Sequence, residues 1–120
     1  YDWDTVKAFS QAIVAHMAQL IPQRFVVKSG PSNRVGKIFI DYLRNGRGAT
    51  TVCAWSARTR SGLGISVPLG WDELDKLKAG DAWNVGNVHS RLDVGNAPWE
   101  GYARSAKGID AAMKKLDFKT

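Results

Sequence analysis

The sequence has few of the residues that build disulfide, zinc or membrane-spanning structures. Its 120 residues include one cysteine, Cys53, and two histidines. One cysteine excludes an internal disulfide, and the histidines form no Cys/His cluster of the kind that holds structural zinc. No apolar run approaches the roughly 18 residues of a membrane-spanning helix, and residues 1–4 lack the basic and apolar pattern of a signal peptide. We therefore expect a cytoplasmic chain without membrane contact, forming a single domain or, over residues 1–120, part of one.

The composition is that of a folded domain. Hydrophobic residues make up 44% of the chain and charged residues 23%, which excludes a disordered tail. Five Trp, four Phe and three Tyr supply enough bulk for a modest core. Trp83 and Trp99 could stack on nucleic-acid bases, but we expect both in the core. Cys53 is expected on the buried face of a strand.

Acidic residues are scarce between residues 24 and 60. This stretch holds eight Lys and Arg against one acid, Asp41, which gives 8 − 1 = +7, whereas the rest of the chain has nine bases and ten acids. Such a block can be a solvated surface. It can also bind phosphates, because six of the eight bases are Arg, which donates two parallel hydrogen bonds to phosphate oxygens.

Hydrophobic spacing predicts an α+β fold, with a small antiparallel sheet flanked by helices. Apolar residues recur every three or four positions over residues 3–20 and predict an amphipathic helix that ends before Pro22. The predicted extended segments are residues 25–27, 37–43, 51–60 and 65–67. Shorter helices are predicted at residues 71–77, 88–92, 99–104 and 108–116.

Asp41 is the first candidate for chemistry, because it is the lone acid on a predicted buried strand. A buried carboxylate is costly unless a cation or a metal compensates it. It could form an ion pair with a nearby Arg, or it could bind Mg²⁺ or Mn²⁺ together with ligands from outside this chain. If residues 37–43 and 51–60 are neighbouring strands, alternation would put Asp41, Arg58 and Arg60 on one face.

Three segments carry a resemblance to a known family. They read KIFIDYLRNGRGAT at residues 37–50, WSAR at residues 55–58 and PLGWDEL at residues 68–74. Together they closely resemble the polymerase domain of bacterial ATP-dependent DNA ligase D, a member of the archaeo-eukaryotic primase superfamily. The resemblance runs from about Tyr1 to Trp99.

The resemblance implies an enzyme that adds nucleotides to DNA ends during non-homologous end joining. The family uses Mn²⁺ or Mg²⁺ held by three aspartates, and Asp41 matches the third. Arg58 matches the arginine that contacts the incoming nucleoside triphosphate, and Arg60 lies beside it. The resemblance also implies that three basic residues contact nucleic acid: Arg34, Lys37 and Arg44.

The chain departs from the family pattern at its beginning. The first two metal-binding aspartates of the family precede the helix that opens this chain, and the Asp2–Asp4 pair matches a different part of the pattern. We therefore expect the C-terminal half of a primase-like polymerase domain, inactive alone, that pairs with the missing half or with itself. The alternative is a nucleic-acid-binding module without catalytic activity.

Overall fold

A computed structural model describes residues 1–119. These residues form two compact units. The first unit contains Tyr1–Thr51 and the described residues from Gly108 onward, and the second contains Val52–Lys107. Within the described residues, no helix is both long and apolar enough to cross a membrane.

The first unit begins with helix α1, Trp3–Leu20, which confirms the helix predicted at residues 3–20. Asp2 caps it, since a carboxylate oxygen of Asp2 accepts a hydrogen bond from the Thr5 backbone N–H at 2.8 Å. At the other end the Ile21 N–H donates to the Met17 carbonyl, and Pro22 follows.

Two short strands follow α1: β1, Phe25–Val26, and β2, Ile38–Phe39. They pair in parallel, with Phe25 opposite Ile38 and Val26 opposite Phe39. The intervening segment contains the 3₁₀ helix Pro31–Arg34. It returns the chain to the end of the sheet at which β1 begins, so that β2 runs in the same direction as β1. The described strands are therefore not the predicted antiparallel sheet, and residues 37–43 form a strand only at β2.

The core of the first unit lies between α1 and the C-terminal segment. Helix α2, Asp110–Lys115, buries Met113, while α1 buries Phe9 and Val14. The rings of Phe9 and Phe118 lie 5.3 Å apart at a tilt of 59°. The chain beginning is joined to α2 by the Tyr1 hydroxyl, which donates to the Asp110 carboxylate at 2.6 Å.

The second unit is built from turns, isolated bridges and short helices. Ala57 pairs with Ile65 and Gly64 with Asn84, both antiparallel. The strand predicted at residues 51–60 is interrupted at Trp55, whose φ of +64° is incompatible with extended backbone. Cys53 is consequently exposed, so its predicted place in the core is wrong.

The helices predicted at residues 71–77 and 88–92 are present as the 3₁₀ helices Trp71–Lys76 and Val88–Arg91. The helix predicted at residues 99–104 is not continuous, because Gly101, with a φ of +80°, separates the 3₁₀ helices Ala97–Trp99 and Tyr102–Ser105. Helices together with a small two-stranded sheet confirm the predicted α+β class.

Candidate nucleotide and nucleic-acid site

Asp41 lies just after β2, where the chain turns out of the sheet. One carboxylate oxygen accepts a hydrogen bond from the Leu43 N–H at 2.9 Å, and the other lies 3.6 Å from the Arg44 Nε. The side chain is 45% exposed, so the prediction of a buried strand position is wrong. Because β2 ends at Phe39, the carboxylate forms the next turn instead of facing a covered sheet. Among the two uses predicted for Asp41, the structure shows the ion pair with an arginine.

The described residues do not form a metal site by themselves. No group of three or more His, Cys, Asp or Glu side chains within residues 1–119 is arranged to hold an ion. Asp41 offers carboxylate oxygens, which suit Mg²⁺ and Mn²⁺, but it offers them alone. A divalent ion at Asp41 would need further ligands from outside this chain.

Arg44 supports the turn that follows Asp41. Its Nη1 donates to the Thr50 carbonyl at 2.8 Å, while its Nε faces the Asp41 carboxylate. Arg34 and Lys37 are exposed in the same unit, at the end of a 3₁₀ helix and just before β2. Their side chains are therefore accessible to a polyanion.

Arg58 and Arg60 lie on a tight turn in the second unit. The Arg58 N–H donates to the Gly64 carbonyl at 2.9 Å, and the Leu63 N–H donates to the Arg60 carbonyl at 2.9 Å. Gly62 takes a φ of +86° at the tip, a conformation that favours glycine. A Cβ atom at Gly62 would collide with the Asp81 carboxylate, so the turn packs closely against that residue.

An open cavity of about 230 Å³ is formed by this turn and the segment that contains Asp81. Its lining consists of Arg58, Arg60, Ser61, Gly64, Gly80 and Asp81. Within the described chain the ion pairs are Asp41–Arg44 and Glu73–Arg91, so neither arginine of the cavity is paired with an acid. Two exposed guanidinium groups thus keep their donors free at one cavity, and their two positive charges outweigh the single carboxylate of Asp81 in its lining. This arrangement suits a phosphate-bearing anion.

The predicted face shared by Asp41, Arg58 and Arg60 rested on two neighbouring strands. In the structure β2 pairs with β1, and Ala57 pairs with Ile65. That strand pairing is therefore wrong. The structure brings Asp41 together with Arg44, and Arg58 together with Arg60.

Sequence reasoning missed a buried arginine that organises the second unit. Arg91 is 3% exposed and donates to both carboxylate oxygens of Glu73, at 2.6 and 2.8 Å, and to the Pro68 carbonyl at 2.6 Å. Its guanidinium carbon lies 5.0 Å from the centre of the Trp83 ring. These hydrogen bonds from Arg91, with a further one from the Gly70 N–H, lower the pKa of Glu73 to about 2. The PLGWDEL motif contains Pro68, Gly70 and Glu73, and this was the available signal.

The buried arginine is connected to the cavity through Trp83. The Trp83 carbonyl accepts a hydrogen bond from the Ile65 N–H at 2.8 Å, and Ile65 is paired with Ala57 next to Arg58. The ion pair of Glu73 and Arg91 is thus linked, through Trp83 and Ile65, to the segment that bears Arg58 and Arg60.

Comparison with known proteins confirms the resemblance. A family profile described as LigD, primase-polymerase domain, matches residues 1–99. The multifunctional non-homologous end joining protein LigD of Pseudomonas aeruginosa is 52% identical over 117 residues, which cover 96% of this chain and 14% of that protein. The bifunctional protein LigD of Bacillus subtilis is 23% identical over 122 residues, 100% of this chain and 20% of that protein. The chain therefore spans a fifth or less of these two relatives. It belongs to the LigD primase-polymerase domain family.

Proposed function

We propose that this chain supplies part of the nucleotide-adding site of a polymerase that extends DNA ends in non-homologous end joining. In this proposal Arg58 and Arg60 bind the triphosphate of the incoming nucleotide. The supporting observation is the open cavity with its two unpaired arginines, in a chain whose residues 1–99 match the polymerase family. The end-joining role follows from the names of the two relatives.

The charge distribution supports a polyanionic substrate. Residues 24–60 have eight bases and one acid. Three of these bases are the proposed DNA contacts: Arg34, Lys37 and Arg44. Phosphate contacts of this kind position a nucleic acid without reading its sequence.

Asp41 is proposed to contribute one ligand to a catalytic Mn²⁺ or Mg²⁺, the others coming from outside this chain. When bound, such an ion neutralises charge on the phosphates during transfer. The chain alone supplies one carboxylate at this position, and we therefore propose that it does not add nucleotides by itself.

A nucleic-acid-binding module without chemistry is the second candidate. It is favoured by the lack, within residues 1–119, of any group of three or more side chains able to hold a metal. The two candidates differ in whether Asp41 is needed for nucleotide addition.

The first experiment measures binding of inorganic triphosphate to this chain by calorimetry. Arg58→Gln and Arg60→Gln should each weaken binding about 10- to 100-fold, since a hydrogen bond to a charged group contributes about 1.5–3 kcal/mol. Arg24→Gln removes the same charge from an exposed position outside the cavity and is the matched control. Equal losses in all three variants would show only a general charge effect and would contradict the proposed cavity.

The second experiment tests chemistry in a chimera. This chain replaces the matching segment of the P. aeruginosa protein, to which it is 52% identical. Primer extension with Mn²⁺ should occur in the chimera and be abolished by Asp41→Asn. A folded, fully active Asp41→Asn chimera would reject Asp41 as a metal ligand, whereas a folded chimera with no primer extension would favour the second candidate.

A further inference from the structure

Two aromatic side chains of the second unit form an exposed stacked pair. The rings of Trp99 and Tyr102 have centres 5.6 Å apart and planes 24° from parallel. Trp99 is 46% exposed and Tyr102 is 71% exposed. The prediction that Trp99 lies in the core is therefore wrong, and an aromatic platform faces solvent instead.

Local structure holds this pair in place. Trp99 ends one 3₁₀ helix and Tyr102 begins the next, with Gly101 between them at a φ of +80°. The start of the first helix is anchored by the Trp55 indole N–H, which donates to the Asn96 side-chain oxygen at 2.8 Å. The platform is thus set by backbone turns and a side-chain anchor rather than by burial.

A positive charge lies beside the platform. A Cβ atom on Gly101 would be 3.7 Å from Nη2 of Arg104, so the guanidinium lies close to the turn that separates the two aromatic residues in the chain. Lys107 follows three residues later, and Glu100 is the one acid among residues 97–107. The segment therefore combines stacking surface with a net positive charge of 2 − 1 = +1.

Another exposed aromatic of the same unit has opposite surroundings. Trp71 is 90% exposed, but the acids Asp72 and Asp75 follow it within four residues. Trp71 has no stacked aromatic partner among the described residues. An acidic neighbourhood repels phosphates, so exposure alone does not mark a nucleic-acid surface.

We infer that Trp99, Tyr102 and Arg104 bind unpaired nucleotides of single-stranded nucleic acid. A base stacks on the exposed aromatic pair while Arg104, with Lys107, contacts the neighbouring phosphates. Stacking needs a free base face, which a continuous duplex does not offer, so the occupant is a single strand. This inference rests on the proposed function only in assuming that DNA ends are the substrate. Tyr102 and Arg104 lie beyond residues 1–99, the part matched by the family profile.

The test is anisotropy of a labelled short oligothymidylate titrated with this chain at several salt concentrations. Tyr102→Leu should weaken binding by about 5- to 100-fold at every salt concentration, as expected for loss of one base stack. Tyr102→Trp should restore it. Arg104→Gln should instead lower the salt dependence by about 0.7 log units per log unit of salt.

Trp71→Leu is the matched control and should leave oligothymidylate affinity unchanged. Circular dichroism of each variant checks that the fold is retained. The inference is overturned if oligothymidylate does not bind, if Tyr102→Leu and Trp71→Leu behave alike, or if Tyr102→Leu changes self-association in sedimentation but not oligothymidylate binding. Inorganic triphosphate binding, measured on the same variants, should be unaffected by Tyr102→Leu. Its loss in Arg58→Gln therefore tests the proposed function independently.

Discussion

At the scale of single residues, Gly62 determines the conformation of the turn that bears Arg58 and Arg60. Its φ of +86° disfavours any L side chain, and an added Cβ would collide with the side chain of Asp81. Gly62→Ala should therefore destabilise the protein by about 1–3 kcal/mol and move the turn that bears Arg58 and Arg60. Urea unfolding measures the first effect, and inorganic triphosphate affinity measures the second.

Gly48→Ala is the appropriate control for that substitution. Gly48 has a similar φ of +76°, but no atom lies within 4 Å of the position of an added Cβ. Gly48→Ala should lower the free energy of unfolding through backbone strain alone and leave triphosphate affinity unchanged. Unchanged triphosphate affinity in Gly62→Ala would contradict the account of the turn.

Glu73 is expected to make stability depend on pH in the acidic range. Its pKa is about 2 in the folded protein against 4.5 for the unperturbed group, chiefly because of the hydrogen bonds from Arg91. A carboxyl group with a lowered folded-state pKa stabilises the fold fully above pH 4.5, and that stabilisation is lost as the pH falls toward 2. Glu73→Gln should lower stability at neutral pH and flatten its decline below pH 4.5.

Urea unfolding at a series of pH values checks this prediction. Glu100→Gln changes an exposed acid of the same unit and should leave the pH profile unaltered. Parallel profiles for Glu73→Gln and the unmodified protein would show that the ion pair with Arg91 does not contribute to acid sensitivity.

At the scale of elements, the ring of Phe9 packs helix α1 against the C-terminal segment. Phe9 is 5% exposed and packs against Phe118. Phe9→Ala should destabilise the first unit by about 3–5 kcal/mol, through lost burial and the cavity left behind. Ile13→Ala, at an exposed position of the same helix, should cost much less. Denaturant unfolding, followed by the circular dichroism of the helices, compares the two variants. Equal losses in the free energy of unfolding would show that the buried Phe9 ring does not contribute more to stability than an exposed side chain of the same helix.

Helix α1 could be predicted because its signals are local. The apolar spacing, the Asp2 cap and Pro22 all lie within the segment itself. The strands could be located but not paired, because pairing depends on the path of the intervening chain. At residues 51–60 the left-handed backbone of Trp55 has no sequence signal, since such a conformation is rare for a large side chain.

The site was predictable to a similar degree. The arginines at positions 58 and 60 lie together as their spacing indicated, although on a turn rather than a strand. Arg91 was missed because arginine is almost never fully buried without a partner, and its partner Glu73 is distant in sequence. Trp99 was wrongly predicted because composition does not distinguish a core tryptophan from an exposed one.

At the scale of the whole molecule, the formal net charge of +6 predicts salt-dependent nucleic-acid binding. Counterion release lowers duplex affinity by about 0.9 log units per log unit of salt for each phosphate contact. Arg34→Gln and Lys37→Gln should each reduce that slope, whereas Lys114→Gln, in α2 outside the basic stretch, should not. Anisotropy titrations with a short duplex measure the slopes, and salt-insensitive binding would contradict an electrostatic interface.

The first unit is discontinuous, since Val52–Lys107 separates its two stretches of chain. Its closing contacts therefore join distant residues, such as Tyr1 and Asp110, which are 109 positions apart. The entropic cost of closing such a loop grows slowly with its length, but contacts of long sequence separation slow folding. Helix α1 can form from local contacts early, while docking of α2 must wait for the intervening chain. The C-terminal segment should accordingly be the last part of this unit to acquire protection from hydrogen exchange during refolding.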